Sequence, residues 1–140
     1  INNFSSTPDF LVDFATLTGA ARIALGSECP ALFCNNKKTA TELMKIGKEI
    51  YDPVWELPLL DQYERYLETD FSAISSTGNA GGYGGAITAA LFLRRFVGKK
   101  INWVHFDLMA WNLLSNPGRP KGGEAMGLRV SFEYIKKFLV

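Results

Sequence analysis

The chain has 140 residues, 47% of them hydrophobic and 21% charged, with a formal net charge of +1. That length suffices for one domain burying roughly 68–70% of the surface its unfolded chain exposes. The near-neutral balance carries no electrostatic footprint for nucleic acid, and the longest apolar runs, such as Ala89–Leu93, are too short to span a bilayer. Neither a nucleic acid nor a membrane is expected as a partner.

Taken in chain order, Ile1 is not an initiator residue, and I-N-N-F-S-S-T-P lacks the basic and apolar regions of a signal peptide. The chain is therefore expected to be an excised piece or a mature product. Phe10–Ala15 is a near-continuous apolar run, the pattern of a strand covered on both faces. It runs into Thr16-Leu17-Thr18-Gly19 and then a segment of small residues. Open α/β sheets place ligands beyond the carboxyl ends of their strands, and small residues there let a substrate approach the backbone closely. Ala31–Cys34 is a second short apolar run. Thr39–Tyr51 is the clearest helix, with Ala40, Leu43, Met44, Gly47, Ile50 and Tyr51 on one face and lysines and glutamates opposite.

Thr39 with Glu42 fits a capping box, and Asp52-Pro53 ends the helix. Leu60–Leu67 predicts a short helix, followed by a loop over Ser72–Gly85 rich in Ser, Gly and Asn. Ala86–Val97 reads as a largely buried helix, and Ile101–Leu108 as a strand of central character. Asn116–Gly123 is a loop. Glu124–Leu139 closes the chain as a helix with Leu128, Phe132, Ile135 and Leu139 on one stripe. The alternation predicts an α/β three-layer sandwich, a mostly parallel central sheet with helices on both faces.

Four features of the sequence bear on chemistry. Gly78–Gly85 precedes a helix, but no Gly-Lys-Ser/Thr follows, and Ile87 stands where G-x-G-x-x-G requires glycine; a structural loop is the better reading. His105, the only histidine, shares a strand face with Asp107. With no G-x-S-x-G elbow in the chain, a hydrogen-bonded core histidine is favoured. Cys29 and Cys34 lack a second pair for zinc or redox chemistry, and two reduced, partly buried thiols are expected. Of the acids, Asp13 and Asp107 on apolar strands are expected to be the buried ones. Two isolated acids do not make a dinuclear site.

The segment Ala15-Thr16-Leu17-Thr18-Gly19-Ala20 after its strand resembles the leucyl (cytosol) aminopeptidase family of metallopeptidases. Four further blocks match that family in order: Trp55-Glu56-Leu57-Pro58-Leu59, Gly84–Leu93, Trp103-Val104-His105-Phe106-Asp107, and Gly122–Arg129. They span roughly residues 8 to 138, so the resemblance implies that residues 1–140 form a single domain, the C-terminal portion of a catalytic domain. The parent would be a cytoplasmic, hexameric enzyme that releases N-terminal residues from peptides using two divalent ions, manganese or zinc. The family holds those ions through a lysine and several carboxylates, two of them in an N-T-D-A-E-G-R motif that also supplies an arginine; a second lysine lies further upstream. That motif is absent here, so no metal ligand or catalytic residue is expected in this chain, and the isolated piece is expected to be inactive.

The resemblance leaves part of the substrate cleft. A backbone carbonyl and an N–H offered to the peptide fall on Leu17 and Gly19. Thr16 and Gly19 line the pocket for the N-terminal side chain, with Met109 and Asn112 on its other wall. Where relatives carry small residues, this chain reads Met109-Ala110-Trp111-Asn112, and the bulkier Met109 shrinks or reshapes the pocket. Ala73 replaces an acid common in relatives. The remainder of the catalytic domain and neighbouring subunits are the implied protein partners. The competing reading is a non-catalytic peptide-binding or assembly domain derived from the same family.

Overall fold

In the computed structural model, which describes residues 7–68 and 82–140, a four-stranded sheet lies between two pairs of helices. The strands are β1 (Phe10–Ala15), β2 (Ala31–Cys34), β3 (Trp55–Glu56) and β4 (Asn102–Asp107), in the spatial order β1-β4-β2-β3. β1 pairs parallel with β4 and β2 with β3, while β2 runs antiparallel to β4. The sheet is thus mostly parallel as predicted, with one antiparallel junction at its centre. A two-stranded ribbon, β5 (Trp111–Asn112) with β6 (Gly122–Gly123), frames the loop predicted at Asn116–Gly123.

The period-2 alternation of β4 sorts the core into two layers. Val104 and Phe106 face helices α2 (Lys37–Glu49) and α4 (Leu128–Phe138), packing with Leu32, Leu43, Ile46 and Val130. On the other face Ala31 and Phe33 meet α1 (Gly19–Leu25) and α3 (Gly85–Arg94) through Ala21, Ala86 and Ala90. The small residues of α1 and α3 let these helices sit close to the sheet. β4 is central, as its sequence predicts, and its residues Trp103 to Asp107 are all buried. β1 departs from its reading: it lies at the sheet edge, it is partly exposed throughout, and no other strand pairs with it among the described residues.

Several boundaries moved for local reasons. α2 begins at Lys37 because Asn36, not Thr39, caps it, accepting the N–H groups of Lys38 and Thr39. Thr39 is instead buried, its hydroxyl 3.0 Å from that of Tyr134. The short helix predicted over Leu60–Leu67 is a 3₁₀ helix, Asp61–Leu67, clamped to α3 by Arg94 on Asp61 and Glu64 and by Arg95 on Glu64. α4 turns its Val130, Ser131 and Tyr134 face inward, so Leu128 and Phe132 of the predicted stripe stand exposed. Most of the Ser72–Gly85 loop, including Ala73 and Gly78–Gly81, lies outside the described residues.

The end of α2 and the start of α4 are interlocked. Tyr51 adopts a left-handed φ of 58°, and the Asp52 N–H returns to the Gly47 carbonyl at 2.9 Å, a helix-terminating pattern. This delivers the buried Asp52 carboxylate to α4, where it accepts the N–H groups of Gly127 (3.1 Å) and Val130 (3.0 Å). Asp52 is therefore a buried acid beside the expected Asp107, whereas Asp13, also expected to be buried, keeps 38% of its side-chain surface exposed at the sheet edge. Glycine at 47 is required, since a Cβ there would stand 2.6 Å from the Asp52 carbonyl oxygen. Gly47→Ala is expected to destabilise the chain by about 1–3 kcal/mol despite the better helix propensity of alanine, measured as a lower urea midpoint at unchanged slope.

Candidate substrate-binding turn

Parallel pairing of β1 with β4 ends at Ala15 opposite Asp107. The two chains therefore leave the sheet side by side, and Leu108 N–H still reaches the Ala15 carbonyl at 3.0 Å. Thr16-Leu17-Thr18 and Leu108-Met109 are thus neighbours at the carboxyl ends of parallel strands, where α/β sheets accept ligands. Among the expected site residues, Thr16, Leu17 and Gly19 are exposed and Met109 is half-buried. Asn112 is buried in β5, and its amide donates to the Pro120 carbonyl (3.2 Å) and to Glu124 Oε2 (2.7 Å). Its visible work is to hold the β5–β6 ribbon that frames Met109.

The turn itself is tied down by Asp107, which is 1% exposed. One carboxylate oxygen accepts the N–H groups of Leu17 (3.0 Å) and Thr18 (3.1 Å). The other accepts the Thr18 hydroxyl at 2.5 Å. Thr18 Oγ1 in turn accepts the Ala21 N–H at 3.1 Å and caps α1. The sequence places Asp107 on one strand face with His105 and discloses no partner for it in Thr18. The available signal was the hydroxyl-x-small pattern of an N-cap directly after a strand.

His105 is fully buried, as expected, and its partner is Asp13 on the neighbouring strand. Nδ1 lies 2.5 Å from Asp13 Oδ1, the ring stacks between Phe33 and Trp103, and Trp103 Nε1 donates to Asp13 Oδ2 at 2.7 Å. The register puts Asp13 directly opposite His105 and diagonal to Trp103, within reach of both. Cys29 and Cys34 are unbonded thiols. Desolvation pushes the Cys34 thiol from its ordinary 9.0 up to about 11.

A divalent-metal site does not fit these residues. Among the described residues no group of three or more His, Cys, Asp or Glu could hold an ion. Asp13, Asp52 and Asp107 are each committed to ring or backbone N–H groups. No helix among the described residues is long and apolar enough to cross a membrane.

Residues 2–132 match the model of the cytosol aminopeptidase family, catalytic domain. A probable cytosol aminopeptidase of Aquifex aeolicus is 44% identical over 133 residues, which cover 93% of this chain and 27% of that protein. The crystal structure of cytosol aminopeptidase from Coxiella burnetii superposes with a TM-score of 0.86 at 49% identity, covering 94% of this chain and 28% of that one. A tomato leucine aminopeptidase mutant gives 0.77 at 30% identity over 92% of this chain and 25% of that one. The chain thus spans about a quarter of the length of the curated relatives it matches.

Two outcomes follow from these contacts. Asp13→Ala strands the Trp103 N–H and removes the partner of a buried His105, and is expected to cost about 2–4 kcal/mol in denaturant unfolding. Alkylation of Cys34 by iodoacetamide at pH 8 should run about a hundredfold slower than that of an unperturbed thiol, from thiolate fraction alone. Because this thiol's value is raised on folding, its contribution to stability is complete below pH 9.0 and is lost as pH rises through about 11.

Proposed function

This chain belongs to the cytosol aminopeptidase family, matching part of the catalytic domain, and from that membership we propose that it contributes to the removal of N-terminal residues from peptides. In this reading residues 1–140 act as one unit, a scaffold bearing one wall of the substrate cleft. The observation that carries it is the exposed turn Thr16–Gly19 lying beside Met109 at the carboxyl ends of two parallel strands. The Leu17 carbonyl and the Gly19 N–H meet the peptide backbone, while Thr16, Gly19 and Met109 line the pocket for its N-terminal side chain. Asn112 contributes by fixing the ribbon next to that pocket.

Hydrolysis in this reading needs two divalent ions, manganese or zinc, which polarise the scissile carbonyl and activate water. The described residues provide no ligand set for them, so these ions belong with portions of the enzyme that relatives carry outside the matched quarter. What this chain does is bind, orient and shape. The exposed Leu128, Phe132, Leu139 and Val140 support a further part in assembly, with the rest of the domain and with other subunits of a hexamer. The relatives' name, cytosol aminopeptidase, supports a cytoplasmic setting.

The test is a chimera in which these 140 residues replace the matching segment of the Coxiella burnetii enzyme. With manganese or zinc supplied, it is expected to cleave a leucyl chromogenic amide, while the 140-residue chain alone gives no turnover above blank. An assembled but inactive chimera would overturn the reading in favour of a non-catalytic binding or assembly module.

A further inference from the structure

We propose that Asp107 is a positioning residue for peptide binding, acting through the turn rather than by touching the substrate. The proposal rests on the aminopeptidase reading and deepens it. In a trans peptide the C=O and N–H point in opposite directions, and no peptide bond among the described residues is cis. The Thr18 N–H is held on the buried Asp107 carboxylate, so the Leu17 carbonyl in the same peptide plane points the other way, out of the core. The Leu17 N–H is held on the same oxygen, which turns the Thr16 carbonyl outward by the same rule.

The remaining freedom of the turn is removed by Thr18. Its single hydroxyl proton goes to Asp107, and its oxygen receives the Ala21 N–H. Two outward carbonyls are therefore fixed before any ligand arrives, and a peptide N–H that meets the Leu17 carbonyl spends no free energy on ordering the turn. A neutral side chain at 107 of similar shape leaves part of this undone. Asparagine presents one acceptor and one donor, so it can serve the two N–H groups but not also accept the Thr18 hydroxyl.

The experiment uses the chimera described above, with Asp107→Asn and Thr18→Val. For a peptide substrate, Asp107→Asn is expected to raise KM about five- to tenfold, the size of one neutral hydrogen bond, with kcat held within about threefold. Substrates methylated at successive backbone nitrogens supply the second readout. The one methylation that weakens binding to the unsubstituted chimera should cost less in Asp107→Asn, because the carbonyl it blocks is no longer fixed. A variant with lowered thermal stability and unchanged KM, or a methylation penalty equal in both proteins, overturns the proposal. If Asp107→Asn does not fold, Thr18→Val decides, since it removes the hydroxyl contact and leaves both backbone N–H bonds: KM raised about threefold supports the proposal, and KM unchanged overturns it. An unsubstituted chimera that binds and cleaves no peptide sinks the aminopeptidase reading itself, which distinguishes that failure from this one.

Discussion

A carboxylate taken out of water must be met by hydrogen-bond donors or it forces the structure apart. This fold turns that constraint into its joints. Asp107 sits at the end of the central strand and gathers two backbone N–H groups and a hydroxyl from the turn after β1. Asp52 leaves the end of α2 and gathers two backbone N–H groups at the start of α4. Asp13, only partly withdrawn from water, bonds ring nitrogens of Trp103 and His105 that are themselves buried. Each acid joins elements far apart in sequence, and each supplies acceptors to donors that a helix end, a turn or a buried ring would otherwise leave unmatched. The hydrophobic layers give the sandwich its thickness, and the three acids fix how its pieces meet.

The layers were legible in the sequence because burial writes itself as periodicity. The apolar run of Ile101–Leu108 became the doubly paired β4, and the face of Thr39–Tyr51 became the inner face of α2. What periodicity could not show was partnership across the chain. Thr39 looked like a cap because Glu42 follows at the right spacing, yet Asn36 outcompeted it and Thr39 was drawn inward by Tyr134 and Asn102. Asp52 looked like punctuation before a proline, because nothing local discloses that its acceptors serve a helix 75 residues on. The stripe on α4 was real as a pattern but faces outward, since the Val130 and Tyr134 face took the core. β1 carries the composition of a central strand in an edge position.

For the candidate site, resemblance supplied the residues and the register explains their meeting. Thr16, Leu17 and Met109 come together because two parallel strands end level with each other. Asn112 lies buried in β5, and its amide is spent on Pro120 and Glu124. The division of labour that emerges separates chemistry from presentation. In the proposed reading this quarter-length match to its relatives presents the peptide, and the described residues bear no cluster of three or more His, Cys, Asp or Glu for a metal ion.

The open side of β1 has a consequence for handling the chain. Phe10-Leu11-Val12-Asp13-Phe14-Ala15 contains no proline, and its one acid is bonded to its neighbours' rings instead of guarding the rim. Natural edges are blunted by lysines, prolines or bulges, and none interrupts these six residues. Molecules at high concentration can thus zip together through this rim, chain to chain, in the manner of cross-β association. Among the described residues nothing pairs with this rim, so its backbone groups offer one chain a docking edge for another.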